Sequence, residues 1–275
     1  MKNKKRLDIL LHEKGYFSSR SQSHQYILAG KVFINETRED KPGKLFPVDK
    51  IKTVYIKQSP RYVSRGGYKL EKALKEFSVN PSGKICLDIG ASTGGFTDCL
   101  LQKKAKKVYA VDVGYGQIDM KLRRDPRLVL LEKTNIRYIT EKQFDEKIEL
   151  VTCDVSFISV QKFLHRLAAF LSENFDMIVL VKPQFESSIK EVKKGVIKDP
   201  LVHAKVLRSF QDYILSINLK IINWTFSPLK GPKGNIEYLA HITKAAPQKA
   251  PDIEVIVNMA HTSLKKEISK EESGK

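Results

Sequence analysis

Cysteine is scarce in this chain, with three in 275 residues. Cys86, Cys99 and Cys153 lie far apart and lack the spacing of a metal-ligand cluster, so we expect small buried thiols in a reduced intracellular protein. No uninterrupted apolar run is long enough to span a bilayer. The basic residues 1–6 are not followed by a long apolar stretch, so no signal peptide is evident and we expect a cytoplasmic protein.

Acidic residues are too few to balance the basic ones. The chain has 49 Lys and Arg against 31 Asp and Glu, a formal charge of +18. This excess favours a polyanionic partner, with nucleic acid first and an anionic membrane surface second. Charge alone does not exclude a merely solvated basic surface, so the assignment depends on the motifs.

The first 60 residues have the pattern of a small basic α+β module. Apolar spacing predicts a short helix over 6–14 and a second helix through Ala29, each followed by a glycine. Strands are predicted over 31–35 and 53–56. The segment contains 13 Lys and Arg against 6 Asp and Glu, a formal charge of +7.

The run from Ile85 to Phe96 organises the rest of the chain. A short apolar segment gives way to small residues and glycines and then resumes with helical spacing, which predicts a strand, a tight turn and a helix. This is the opening unit of a doubly wound α/β domain, in which ligands bind at the turn. Gly90, Gly94 and Gly95 fit neither a dinucleotide fingerprint nor a P-loop. An ordinary strand-to-helix turn remains the alternative.

Charged residues follow several predicted strands. Asp112 lies 24 residues after Asp88, at the end of the second strand, where a Rossmann-like domain holds the ribose hydroxyls of an adenosine. Asp154 and Lys182 end two neighbouring strands, at the edge of the sheet where ligands bind. A charged side chain among apolar residues is costly to bury unless it is paired. This favours one site shared by these charged residues over the alternatives, in which each is a separate strand-end cap or a surface charge.

The remaining pattern places two more charged residues and completes the fold. Lys69 falls in a helix before the first strand and Glu237 in the last strand. Helices are predicted over 160–171 and 202–219, with a closing helix over 252–266. The last two strands, over 219–224 and 236–242, are expected to be joined by a tight hairpin-like connection.

The N-terminal module resembles the RNA-binding domain named after small-subunit ribosomal protein four. The match rests on Arg6-Leu7-Asp8, on Ser19-Arg20-Ser21 and on the run 27–35, with Glu36 where the family usually has a turn glycine. Since Asn35 tolerates a positive φ, we expect an altered turn in an intact fold. The resemblance implies that Arg6, Arg20 and Lys31 lie near the RNA backbone.

Five ordered motifs resemble the TlyA (haemolysin A-like) family, which joins such a domain to an FtsJ-like methyltransferase. They begin at Ser64, Asp88, Cys153, Val181 and Gly231, and the resemblance runs from residue 6 to 242. It implies an α/β, Rossmann-like, seven-stranded methyltransferase that uses S-adenosyl-L-methionine and acts on ribose 2′-hydroxyls of ribosomal RNA. The catalytic residues that the resemblance implies are Lys69, Asp154, Lys182 and Glu237. The cofactor-binding residues that it implies are Asp88, Gly90, Ala91, Ser92, Thr93, Gly94, Phe96, Asp112, Asn135 and Asp154. It also implies that Arg65 contacts RNA.

The implied chemistry gives each catalytic residue a role. A ribose hydroxyl is a poor nucleophile, so the site must help to remove its proton. We expect Lys182 to activate the hydroxyl, Asp154 and Glu237 to orient Lys182, and Lys69 to pair with Glu237. No metal is expected.

The sequence therefore predicts an RNA-binding domain over 1–60, a linker over 61–65, a methyltransferase domain over 66–250, and a C-terminal helix with a disordered tail over 251–275. Ribosomal RNA or a ribosomal subunit is the expected partner, and no membrane is expected. A non-catalytic RNA-binding or ribosome-assembly protein and a membrane-lytic haemolysin are the alternatives. The target nucleotide, the subunit and the oligomeric state stay open.

Overall fold

The computed structural model describes residues 4–57, 60–187, 192, 194–245 and 252–272, with side chains described as far as Leu264 in the last range. Contacts between residues divide the chain into two compact units, Met1–Arg61 and Tyr62–Lys275.

The first unit packs two helices against short strands. Leu7, Leu11 and Ile27 from the helices meet Val32 and Ile34 from a central strand in one buried cluster. The elements are β1 (Lys4–Arg6), α1 (Leu7–Glu13), α2 (Arg20–Leu28), β2 (Val32–Ile34), β3 (Thr37–Glu39), β4 (Leu45–Pro47) and β5 (Val54–Ile56). Strands β3, β2 and β5 form an antiparallel sheet in that order, and β1 pairs with β4.

Both predicted helices and both predicted strands of this unit are confirmed. β1, β3 and β4 were not predicted, because three residues are too few to show an alternating pattern. The altered turn is also present. Asn35 and Glu36 both have a positive φ, of 47° and 67°, and the Asn35 side chain accepts hydrogen bonds from the amides of Lys52 and Thr53.

The second unit is built on a seven-stranded mixed sheet. Its elements are α3 (Gly66–Glu76), β6 (Ile85–Ile89), α4 (Gly95–Gln102), β7 (Lys107–Val111), α5 (Met120–Arg123), β8 (Leu128–Leu131), β9 (Ile148–Cys153), β10 (Leu171–Val181), α6 (Pro183–Glu186), α7 (Pro200–Ser216), β11 (Lys220–Phe226), β12 (Tyr238–Thr243) and α8 (Ile253–Glu272). The strand order is β11-β12-β10-β9-β6-β7-β8. Within the described residues β12 is antiparallel to both β10 and β11, and the other neighbouring pairs are parallel.

Alternate residues of the central strand face two separate apolar cores. Ile85, Leu87 and Ile89 of β6 belong to one cluster, and Cys86 belongs to the cluster on the opposite face. Burial on both faces is what a parallel sheet covered by helices requires. It leaves the carboxyl ends of the strands free to form a site.

Two predictions for this unit are wrong. Residues 160–171 do not form an α-helix. They form 3₁₀ turns at Val160–Lys162 and Leu164–Ala169, and β10 begins at Leu171. Leu164, Leu167 and Phe170 are all buried, and their three-residue spacing matches the 3₁₀ period. The connection between β11 and β12 is no tight hairpin either, since it spans residues 227–237.

The segments at both ends of the predicted methyltransferase domain pack into the second unit. The Tyr62 side chain is buried in one of its cores, and the Val63 amide donates to the Asp98 carboxylate at 2.9 Å. Residues 62–65, assigned to a linker from the sequence, thus belong to this unit. At the other end, Ile253 and Val257 of α8 join the core. The helix continues to Glu272, and the rest of the predicted tail, 273–275, lies outside the described residues.

A buried histidine connects α7, α8 and β12. His203 is fully buried, with its Nε2 3.2 Å from the Ile197 carbonyl oxygen. Nδ1 therefore accepts, from the Tyr238 hydroxyl at 2.8 Å and from His261 Nε2 at 3.0 Å. Burial, with His261 nearby, lowers the pKa of His203 to about 4.

This histidine predicts a pH-dependent contribution to stability. Because the pKa of His203 is lower in the folded than in the unfolded chain, stability is lost as pH falls through 6.5 toward 4. The loss attributable to His203 reaches about 3 kcal/mol. Urea unfolding measures the free energy of unfolding of the wild type and of His203→Gln across this pH range. The difference in favour of the wild type should shrink as pH falls.

Comparison with the variant is necessary because Asp88 acts in the opposite direction in the same range. Burial raises the pKa of Asp88 to about 6, so its protonation favours the folded chain as pH falls. Asp88 is present in both proteins and cancels in the difference. A difference that stays constant with pH would contradict the assignment to His203.

Candidate active site

The turn after β6 brings the backbone close to the end of β9. The Gly90 and Ala91 amides both donate to the Val111 carbonyl oxygen, at 2.9 and 3.2 Å. Gly90 has a φ of +81°, and a Cβ atom there would stand 2.7 Å from the Asp154 carbonyl oxygen. Only glycine fits this position without strain. The turn thus forms a cradle of backbone beside Asp154.

Asp88 supports this turn from below. Its side chain is fully buried and accepts hydrogen bonds from the hydroxyls of Thr97, at 2.6 Å, and Thr152, at 3.0 Å. These bonds tie β6 to α4 and β9. Asp88 therefore supports the turn, and its direct contact with a cofactor stays a prediction.

A cavity of about 280 Å³ opens at the carboxyl ends of β6, β9 and β10. It brings together all four predicted catalytic residues with Arg65 and with the predicted turn residues except Gly94. Its lining consists of Ser64, Arg65, Gly66, Lys69, Gly90, Ala91, Ser92, Thr93, Gly95, Phe96, Asp154, Ser156, Lys182, Pro232 and Glu237.

Two ion pairs occupy this cavity. Lys182 Nζ lies 2.6 Å from Asp154 Oδ1, and Lys69 Nζ lies 2.6 Å from Glu237 Oε2. Asp154 and Lys182 are adjacent because each directly follows one of two parallel neighbours, β9 and β10. Lys69 comes from α3 and Glu237 from the residue before β12. The expected pairing of Lys69 with Glu237 is thus present.

The two pairs differ in exposure. The side chain of Asp154 is 22 % exposed, whereas that of Glu237 is 2 % exposed. Lys182 Nζ also donates to Ser156 Oγ at 2.8 Å. An ammonium has three N–H donors. Among the described residues Asp154 and Ser156 take two of them, which leaves one for a ligand in the cavity.

Comparison with known proteins places this site in a family. Residues 62–244 match the FtsJ-like methyltransferase family, and residues 5–49 match the S4 domain. The chain belongs to the FtsJ-like methyltransferase family. The predicted seven-stranded Rossmann-like fold with a small N-terminal α+β domain is confirmed.

Relatives of this methyltransferase are similar to it in sequence over most of their own length. Hemolysin A of Brachyspira hyodysenteriae is 46 % identical, covering 86 % of this chain and 98 % of its own. The 16S/23S rRNA (cytidine-2′-O)-methyltransferase TlyA of Mycobacterium tuberculosis is 40 % identical, covering 86 % and 89 %. A solved structure of a candidate hemolysin from Streptococcus thermophilus superposes with a TM-score of 0.73 at 38 % identity, covering 98 % of this chain and 100 % of its own. The resemblance to the TlyA family is confirmed.

Besides Asp88, three predicted cofactor residues of the methyltransferase lie outside the cavity lining. The Asp112 carboxylate accepts from the amides of Ser92 and Gly114, both at 2.7 Å, so it shapes the turn from the end of β7. Asn135 caps a 3₁₀ turn by accepting from the Arg137 amide. Gly94 begins α4 with a φ of +95°, and a Cβ atom there would collide with Leu122.

An exposed aromatic residue beside the cavity was not predicted. Phe157 follows the cavity residue Ser156, is 91 % exposed and has a φ of 64°. Its ring centroid lies 5.2 Å from that of Phe185. A bulky residue in the left-handed region is uncommon and marks a site worth examining. No sequence pattern predicts such a backbone conformation.

The predicted RNA contacts in the S4 domain are held in place by one buried acid. Arg6 and Arg20 both donate to Asp8, at 3.0 and 3.2 Å, while their side chains remain 42 % and 56 % exposed. Burial alone would raise the pKa of Asp8, but these hydrogen bonds outweigh it and lower that pKa to about 2. The pairing orients both guanidinium groups. The Lys31 ammonium lies 5.6 Å from the centroid of the Tyr26 ring.

Neither a membrane segment nor a metal cluster is found in the part of the chain that the structure describes. None of its helices is both long and apolar enough to cross a bilayer. Its His, Cys, Asp and Glu residues form no group of three or more that could hold a metal ion.

Proposed function

We propose that this chain is an S-adenosyl-L-methionine-dependent methyltransferase that acts on ribose 2′-hydroxyls of ribosomal RNA. The observation that carries the proposal is the pair of lysine–carboxylate contacts in one cavity beside the glycine-rich turn. The name of the relative from Mycobacterium tuberculosis makes cytidine ribose the first target to test.

The residues around the turn fit the proposed cofactor. Gly90, Ala91 and Ser92 line the cavity with small side chains or none, and a Cβ atom on Gly90 would collide with the Asp154 carbonyl oxygen. Such a cradle allows a ligand to approach the backbone closely. S-adenosyl-L-methionine supplies an electrophilic methyl group when bound. Asp112 remains our candidate for its ribose, because it ends β7 at the usual position.

The first ion pair is suited to activate a hydroxyl. Transfer of a methyl group from the sulfonium sulfur would break the carbon–sulfur bond, leave a neutral thioether, and require the attacking ribose oxygen to lose its proton. The free N–H of Lys182 is placed to stabilise the charge that develops there, and the Lys182–Asp154 pair is our candidate for the proton acceptor. Lys69, Glu237 and Arg65 also line the cavity, and the exposed Arg65 side chain is available to a phosphate.

The surface chemistry supports RNA as the substrate. The formal charge of +18 favours a polyanion, and Arg6 and Arg20 present oriented guanidinium groups that suit phosphates. Phe157 offers an exposed ring next to the cavity, and aromatic rings stack on unpaired bases. We retain residues 1–60 as the proposed RNA anchor and the cytoplasm as the proposed location.

The deciding experiment is nucleoside mass spectrometry of ribosomal RNA incubated with the purified chain and S-adenosyl-L-methionine. The expected product is a ribose-methylated nucleoside that is absent without the protein. Methylation of a base instead would reject the ribose assignment. RNA binding without any methylated product, under conditions in which the cofactor binds, would favour the non-catalytic alternative.

The cofactor cradle makes a separate prediction. Gly90→Ala should weaken binding of S-adenosyl-L-methionine at least about tenfold, because the new methyl group forces the turn away from Asp154 in addition to straining φ. Isothermal titration measures the affinity. Gly116→Ala is the matched control, since Gly116 also has a positive φ, of +71°, but no atom lies within 4 Å of the added Cβ. Equal affinities of the two variants would remove Gly90 from the proposed cofactor site.

A further inference from the structure

The three-stranded sheet of the S4 domain presents an aromatic pair on its outer face. Val32 and Ile34 of β2 are buried in the core, so Phe33 between them points to the opposite face. In the sheet register Phe33 stands opposite Tyr55 of β5 and opposite Arg38 of β3. The Phe33 and Tyr55 ring centroids are 5.8 Å apart.

Folding does not account for this arrangement. Tyr55 is 63 % exposed, so its ring contributes little to the core, which lies on the other face of the sheet. The Arg38 side chain is also exposed, and its guanidinium rests directly against Gly30, where a Cβ atom would collide with it. Arg38, Phe33 and Tyr55 thus form one row across the three strands of this sheet.

We propose that Phe33, Arg38 and Tyr55 form a stacking platform for unpaired bases of single-stranded RNA, separate from the Arg6–Arg20 pair. The proposal rests on the proposed function only in taking RNA as the ligand. Every base has a π-face, so exposed rings bind single strands with little regard to sequence. A guanidinium plane can also stack on a base or contact a phosphate.

Charge favours RNA over an apolar protein segment as the occupant. Lys52 and Lys57 stand at the two ends of β5, with Tyr55 between them, and both are exposed. This strand is an edge of the sheet, so a ribose-phosphate backbone can run along it while bases cover the rings. Glu36 and Asp40 flank β3 instead, which directs the phosphates toward the β5 side.

The test compares a single strand with a duplex. Full-length protein is titrated into a labelled oligouridylate and into a labelled RNA duplex of equal length, with fluorescence anisotropy as the readout. Tyr55→Leu should weaken binding of the single strand about tenfold, while binding of the duplex, whose bases are already stacked, stays unchanged. Tyr55→Phe, which keeps the ring, should bind both as the wild type does.

Two controls make the outcome specific to stacking. Tyr16→Leu removes another exposed tyrosine of the same domain, 44 % exposed, and should change neither affinity. The slope of log affinity against log salt should be the same for Tyr55→Leu and wild type, since no charge is lost, whereas Arg38→Ala should make it shallower. Unchanged single-strand binding by Tyr55→Leu, or equal losses on both probes, would overturn the platform.

This test is independent of catalysis. If the Tyr55 ring binds the single strand but ribosomal RNA acquires no methyl group, the proposed function fails and the platform stands. If ribosomal RNA is methylated and Tyr55→Leu binds the oligouridylate normally, the platform fails and the proposed function stands.

Discussion

Replacing Lys182 with alanine is expected to slow methyl transfer by about a hundredfold or more, the loss typical of removing a positioned proton-transfer group. Fold and cofactor affinity should remain nearly intact. The Asp154 carboxylate left behind is 22 % exposed, so water can solvate it. The cofactor cradle consists of turn backbone that Lys182 does not support.

Single-turnover methylation and thermal melting of the same variant measure the two effects separately. A structural ion pair would give the reverse pattern, with a lowered melting temperature and normal turnover in the folded fraction. A folded Lys182→Ala protein with wild-type turnover would remove Lys182 from the mechanism.

A second lysine–aspartate pair in this domain provides the matched control. Lys84 Nζ lies 2.7 Å from Asp176 Oδ2, with both side chains 27 % exposed, and neither residue lines the cavity. Lys84→Ala also removes the lysine of an aspartate, although Asp176 keeps its contact with His241 Nε2 at 2.8 Å. It should cost a little stability, of the order expected for a partly exposed pair, and leave turnover unchanged.

The sequence was sufficient to predict that Asp154 and Lys182 meet. Asp154 and Lys182 each directly follow an apolar strand, and adjacent parallel strands end at the same edge of a sheet. The neighbouring positions of β9 and β10 are therefore enough to predict the contact between the two side chains. Lys69 and Glu237 come from elements distant in sequence, and only the family resemblance brought them together.

Other features depend on tertiary packing that no local pattern encodes. Asp88 sits in a motif expected to bind a cofactor, yet the hydroxyls of Thr97 and Thr152 hold it in the core. The helical spacing over 160–171 became 3₁₀ turns because the buried residues recur every three positions. The positive φ of Phe157 and its exposure likewise follow no local sequence pattern.

The buried pair between Lys69 and Glu237 gives the second large expected effect. The Glu237 side chain is 2 % exposed and that of Lys69 is 11 % exposed. Removing one member leaves the other charge without its partner in the interior, which costs about 3 to 5 kcal/mol. Lys69→Met and Glu237→Leu should therefore each lower the free energy of unfolding by that order. Each should also slow methyl transfer by about a hundredfold, the loss that a small misplacement of reacting groups can cause.

The double variant Lys69→Met/Glu237→Leu separates stability from chemistry. Replacing both members of a buried pair with apolar residues of similar volume is often neutral for stability, so the double variant should regain most of the stability that either single variant loses. Turnover should stay as low as in the single variants, because the cavity wall has lost the charges that face the substrate. Urea unfolding and single-turnover methylation on all four proteins complete the cycle. Recovery of turnover together with stability would make the pair purely structural, and the catalytic set would then reduce to Lys182 and Asp154.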